Sequence, residues 1–364
     1  MNADLNAISP LAAYLGSFFS ATIPGWVLVS LAVFVHGFLL TLPPIVAIGF
    51  MDRKFGADIQ MRIGPNRVPL YGFFQVIADA IKLLFKENLE PVLQERFLFR
   101  WGIPAAIVVM FAAVGSIPMS QSWAISNLES GLVAVLTALG VSNLCIFWAA
   151  YSAESQWSVL SSFRIIGTLV TYIIPVAVAL VPPVLVAGSP NFDQIVRVQG
   201  GMPWNWIVLH NPGTLLSFLC LFFGLSIWQG RTPFDHHDSL VEVAGGVSSE
   251  FSGLRHGFVS ILKTLSMFLS CALIVTTYLG GWRTPLNLES FGRAANLVEW
   301  LFFITKVFFL VFLSIWIRWS LPRMRIDQMI KLSWRCLVPV GLFSIFFVAV
   351  WMVIFNGRGL GDFL

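Results

Sequence analysis

Apolar residues run along this chain in eight long stretches, at about 24–50, 102–120, 131–151, 165–188, 204–228, 257–281, 296–319 and 335–355. Each is long enough for the roughly 20 residues that a helical bilayer crossing needs, and none alternates as a strand would. The pattern predicts an all-α fold: a polytopic membrane helix bundle with eight transmembrane helices in a single membrane domain over residues 1–364. A ninth pattern differs. Phe73, Phe74, Val76, Ile77, Ala80, Ile81, Leu83, Leu84 and Phe85 recur at helical spacing, while Asp79, Lys82, Lys86 and Glu87 fall elsewhere on the wheel. This predicts an amphipathic interfacial helix at about 70–87.

Composition agrees with the membrane class: 57% of residues are apolar and 11% charged, against about 25% charged in soluble domains. Charge is distributed unevenly. The segment 51–101 alone holds eight of the 22 Lys and Arg, and the loops after spans 1, 3, 5 and 7, counted with Arg318 and Arg335 at the edges of the flanking spans, together hold 16. Positive-inside reasoning therefore predicts cytoplasmic loops at 51–101, 229–256 and 318–334, with both termini on the outer side. The first 23 residues contain no Lys or Arg, which argues against a cleaved secretory signal and predicts that the first span is retained. Four cysteines, at 145, 220, 271 and 336, lie in or beside spans without a C-x-x-C pair. They spell neither a zinc site nor an iron–sulfur ligand set. The basic residues serve membrane topology and lack a fold that reads bases, so nucleic acid is not an expected partner.

The charged loops carry the candidate chemistry. In the first, Gly64 and Pro65 break any helix, and Arg62 and Arg67 flank them on the resulting turn. Spacing alone leaves these arginines as either topology anchors or a working surface. The second loop gathers Asp235, Asp238, Glu242 and Glu250. His236 and His237 stand between the two aspartates, but adjacent ligands without a distant matching pair favour a hydrogen-bonded loop over a metal site. The third, after Pro322, alternates basic and apolar residues as an anchor or a docking site for a soluble partner.

Six strings in these loops and nearby resemble the H-subunit family of NADH-quinone oxidoreductases, the respiratory complex I enzymes. They are RIGPNRV (62–68), IADAIKLLFKE (77–87), RTPFD (231–235), SSEFSG (248–253), LGGW (279–282) and PRMRIDQ (322–328), in the family's order. The resemblance implies an eight-span subunit of a bacterial inner membrane, at the joint between the hydrophilic and membrane arms, forming part of the quinone chamber. It implies a translocase that couples quinone reduction to proton translocation. FMN and iron–sulfur clusters are expected on partner subunits, and none on this chain. Expected partners are soluble iron–sulfur and quinone-module subunits, small and antiporter-like membrane subunits, quinone and lipid.

By the same resemblance the chamber and coupling candidates are Asp52, Arg53, Arg62, Arg67, Asp79, Lys82, Lys86, Glu87, Arg231, Asp235, Asp238, Glu242, Glu250 and Lys263. Quinone reduction consumes two protons, so carboxylates that change charge and arginines that hold them suit such a chamber. Asp52 stands where the family usually has Glu. Three positions that the family fills with membrane carboxylates hold Ile173, Trp228 and Lys263 instead. Asp and Glu are expected outside the cores of all eight spans, leaving Lys263 and Lys306 as the span charges, with Glu242 or Glu250 as partners for Lys263. A structural membrane anchor in a complex I-like assembly, such as a relative of the membrane-bound hydrogenases that binds no quinone, is the alternative reading.

Overall fold

The computed structural model describes residues 9–16, 24–91, 94–236, 238, 240–286 and 294–355. Eight helices among them are long and apolar enough to cross a membrane: α1 (Gly25–Ile59), α3 (Arg96–Gly115), α4 (Gly131–Tyr151), α5 (Gln156–Ala187), α6 (Pro212–Gln229), α7 (Gly253–Tyr278), α8 (Ala295–Ser320) and α9 (Ile326–Ile354). Between α1 and α3 lies the amphipathic α2 (Gln75–Phe85). The result is an all-α membrane bundle, and the chain is an integral membrane protein. Several helices outrun their apolar stretches at the charged end, where α1 carries Asp52 and Arg53 and α5 carries Arg164.

The centre of the bundle is α7. It packs against α1, α3, α6 and α8, and from Leu265 to Tyr278 every residue is buried. Its sequence there is apolar all round, as an enclosed helix requires. Ser266, Ser270, Ala272, Thr276 and Thr277 keep the side chains small and allow close approach by its neighbours. The hydroxyls turn back onto their own helix; Thr276 Oγ1, for example, donates to Ala272 O at 3.1 Å.

Proline sets a problem inside hydrocarbon, because each one removes the N–H that would satisfy the carbonyl four residues earlier. In α5, Pro175 and Pro183 deprive the carbonyls of Thr171 and Ala179. Both find donors on other helices. Ser333 Oγ donates to Thr171 O, and the fully buried Tyr278 hydroxyl donates to Ala179 O while contacting Ser217 Oγ at 2.8 Å. Two other prolines are approached through a widened π-type turn, His36–Thr41 before Pro43 and Ser333–Leu337 before Pro339.

The amphipathic helix expected at about 70–87 forms over the shorter range Gln75–Phe85. Leu70, Tyr71 and Gly72 all have positive φ (55°, 54° and 93°), which no right-handed helix can include. At the other end, Lys86 is extended because the following residues are drawn onto the start of α7.

The Tyr278 bond makes a checkable claim. Tyr278→Phe should destabilise the folded subunit by about 1–3 kcal/mol, the cost of a buried carbonyl left unpaired. Pro183→Ala in the same chain restores the backbone donor and should recover part of that loss, measured as thermal unfolding in detergent.

Candidate functional site

Three charged groups from distant parts of the chain converge where α1 leaves its apolar run. Asp52 Oδ2 accepts from Arg231 Nη1 at 2.9 Å and from Arg318 Nη1 at the end of α8. The contact needs a close approach between α1 and α8, which Gly56 supplies: a Cβ there would lie 2.6 Å from the Trp319 ring. Arg231 reaches onward, its Nη2 donating to Lys263 O at 3.1 Å. Its side chain is 11% exposed and that of Asp52 17%, so neither charge is well solvated.

The loop after α6 is fastened from three further directions. Arg164 of α5 pairs with Glu242 at 2.6 Å and donates to His236 O at 3.3 Å. Arg323, just beyond α8, pairs with the same Glu242 oxygen at 3.1 Å and donates through Nε to Asp235 O at 2.9 Å. Met324 N donates to Pro233 O. The Arg164 guanidinium, with Arg323 beside it, holds the Glu242 carboxyl below the usual glutamate range. Lys263 pairs with Asp238 at 2.5 Å. Its expected partners were Glu242 or Glu250, but Glu242 is taken by the two arginines and Glu250 forms no ion pair among the described residues.

Behind this pair lies a small cavity, about 30 Å³, with Asn143, Thr168, Gln229, Asp238, Lys263 and Ser266 on its polar wall. That is room for one or two waters. Trp228 lines it as well, so two of the three positions where the family resemblance implies carboxylates, Trp228 and Lys263, face one space. Ile173 instead packs near Gly140 of α4.

Helix α2 lies across α1 and α7, with Val76 against Gly49 and Leu83 against Gly257. It is latched at both ends. Near the first, Arg53 bonds Asp79, which also accepts from Gln75 Nε2 at 2.7 Å. Partial burial pushes the Asp79 carboxyl up, but these hydrogen bonds and the Arg53 and Lys82 charges outweigh it and hold it low. At the second, Asn88 Oδ1 accepts from Leu254 N at 3.0 Å and Leu89 N donates to Ser252 Oγ at 2.7 Å. Gly253 permits the crossing: its φ is +53°, and a Cβ would meet Asn88 and the backbone of Glu87 and Lys86. Glu90 completes the latch, accepting from Arg100 at 3.1 Å and from Arg255, whose guanidinium also lies 4.9 Å from the Phe99 ring centre.

Of the sequence candidates, the structure joins Asp52 with Arg231, Arg53 with Asp79, and Lys263 with Asp238, and ties Asp235 and Glu242 into the same loop. Arg62, Arg67, Lys82, Lys86 and Glu87 remain exposed on the first loop and α2. So do the apolar side chains of Met61, Ile63, Tyr71, Ile81, Leu84 and Phe85, from 49% exposed at Ile81 to 95% at Met61. Sequence reasoning missed Arg164, Arg318 and Arg323, counted there only as topology signals. The available clue was that a loop rich in acids needs cations from neighbouring segments. Among the described residues no group of three or more His, Cys, Asp and Glu is placed to hold a metal ion; His237 lies outside them.

An eight-span helical bundle with an acid–arginine network at one end and a latched amphipathic helix beside it is a membrane protein whose paired charges gather where its spans meet its loops. The family model described as NADH dehydrogenase matches residues 29–349. The NADH-quinone oxidoreductase H subunit of Anaeromyxobacter dehalogenans is 34% identical over 321 residues, covering 83% of this chain and 77% of that protein. The corresponding H subunit of Chlorobium luteolum is 31% identical over 357 residues, 96% of this chain and 92% of its own length. The H subunit of the F(420)H(2) dehydrogenase of Methanosarcina mazei is 30% identical, covering 86% of this chain and 88% of that protein. The chain belongs to the H-subunit family of NADH-quinone oxidoreductases.

Two outcomes follow from the geometry. Asp52→Ala leaves the buried Arg231 facing the partly exposed Arg318 without the acid between them and should cost about 3 kcal/mol of stability, seen as a lowered melting temperature. Hydrogen bonds from Arg100, then Arg255, push Glu90 down to about 2. A depressed carboxyl stabilises the fold above its ordinary value of about 4.5 and loses that contribution as pH falls toward the folded value. Protection of the segment 86–91 against an acid-active protease should therefore hold from pH 8 to about 5 and fail between about 4.5 and 2.

Proposed function

We propose that this chain walls the quinone chamber of a complex I-type assembly at the joint between its hydrophilic and membrane arms, and that it couples quinone reduction there to proton translocation. The observation that carries the reading is the pairing of opposite surfaces at one end of the bundle. Helix α2 and the preceding loop offer an exposed apolar face suited to an isoprenoid tail. Beside them Asp52 Oδ1, Arg231 Nε and Asp235 Oδ1 are buried without a hydrogen-bond partner among the described residues. Orphaned polar atoms of this kind call for water or a polar group supplied from outside the chain.

The residues divide the work. Arg53, Arg62 and Arg67 supply positive charge at the entrance, and Asp79 fixes α2 through Arg53. The loop acids Asp235, Asp238, Glu242 and Glu250, with Asp52 and Arg231 beneath them, set the charge balance that a two-electron, two-proton reduction disturbs. Lys82, Lys86 and Glu87 sit on the outer surface of α2, where soluble partner subunits meet it. The Lys263–Asp238 pair carries the ionisable groups of the inner cavity and is the route inward that replaces acids at Trp228 and Ile173. Electrons reach the quinone from FMN and iron–sulfur clusters on partner subunits, and small and antiporter-like membrane subunits flank the bundle. In this reading the chain is one membrane domain of a bacterial inner membrane, its charged end in the cytoplasm and both termini outside.

The absence of acids at Trp228 and Ile173 favours a second reading, a structural anchor in a related assembly without quinone chemistry. The two part in the intact complex. Arg62→Ala and Asp79→Ala should each raise the quinone KM and lower quinone reduction about tenfold, roughly 1.4 kcal/mol of transition-state stabilisation. Reduction of a soluble artificial acceptor by the hydrophilic arm should stay unchanged. Normal quinone kinetics in both variants, or a purified complex without bound quinone, sinks the chamber reading.

A further inference from the structure

Glu299 lies at the opposite end of the bundle, one turn into α8, and is 6% exposed. Its Oε2 accepts from Gln121 N at 2.9 Å, and it has no ion pair among the described residues. Among the described residues the cations near it bond elsewhere, although Arg283 is close enough for its charge to act on Glu299. Arg283 donates to Arg197 O at 3.3 Å and stacks on Trp282. Lys306, two turns deeper on the same helix, donates to Gly281 O and Arg283 O at 3.0 and 3.1 Å over the Trp206 ring. The segment 116–128 that covers Glu299 contains no ionisable residue. An ionised carboxylate in such a place costs several kcal/mol, and the usual resolution is to take a proton.

A polar cavity begins at its hydrogen-bond partner, although Glu299 itself is not among the residues that line it. Gln121, whose backbone N–H meets Glu299, also lines a cavity of about 180 Å³ with Ser116, Ser126, Asn127, Asn191 and the Asp193–Arg197 pair. This is room for several waters. Gln121, Asn127 and Arg197 are exposed, so the cavity meets bulk solvent. We infer that Glu299 is a proton-binding site that exchanges with water through this cavity, at the end of the bundle remote from the charged loops. Assigning that end to the outer side rests on the orientation proposed above; the exchange itself does not.

Infrared spectroscopy of the purified complex tests it without quinone turnover. A protonated carboxyl C=O band should be present at pH 7, absent in Glu299→Gln and shifted in Glu299→Asp. Gln keeps an oxygen for the Gln121 N–H, and the Asp variant gives a second assignment if Gln impairs assembly. With Asn127→Cys in a Cys336→Ser background, a bulky membrane-impermeant maleimide should slow hydrogen–deuterium exchange of that band at least tenfold. A band that survives in both Glu299 variants overturns the site, and exchange unaffected by the label overturns the route. In oriented vesicles, label accessibility from the cytoplasmic side alone would overturn the orientation while leaving both intact.

Discussion

A carboxylate withdrawn from water must be surrounded by positive charge or give up its own, and at Asp52 the chain takes the first course. One oxygen receives Arg231 and Arg318, so the ends of α1, α6 and α8 are pinned to a single atom. Arg231 passes the constraint to α7 through the Lys263 carbonyl. Each arginine is near a second cation and needs the acid between them, so the cluster stands or falls together. This contact fixes where the acidic loop leaves α6, while Arg164, Arg323 and Lys263 hold the rest of it.

Much of the architecture was legible because hydrocarbon imposes a length and forbids unpaired backbone. Eight apolar stretches became eight helices, and the helical spacing of Val76, Ala80 and Leu83 foretold α2. The trimming of α2 was not legible, because it depends on positive φ at Leu70 and Tyr71, residues without a strong preference for that conformation. Side-chain partners were less legible still. Lys263 bonds Asp238 because Arg164 and Arg323, more than 150 residues apart, converge on Glu242 first. Nothing in local sequence announces such competition.

Glu299 shows the same limit from the other side. Its place near the start of an apolar run reads as a solvated helix end, and only the fold of residues 116–128 over it makes it a buried acid. The chain thus has few acids at its centre and buried or paired ones at each end: Asp52 and Asp238 at one, Glu299 at the other. A bundle so arranged concentrates its ionisable groups near its two faces and leaves hydroxyls, amides and water-sized spaces between them.

The hydroxyl bonds to α5 bear on how the protein is made. Thr171 and Ala179 lose their intrahelical donors to proline, and their replacements, Ser333 and Tyr278, lie 162 and 99 residues further along the chain. During synthesis α5 therefore enters the bilayer before either partner exists. Until α7 and then α9 arrive, these two carbonyls, like that of Val178 four residues before Pro182, must be met by water, lipid headgroups or the insertion machinery. The fourth span is in this sense an unfinished helix, and its release into lipid is tied to the completion of the chain.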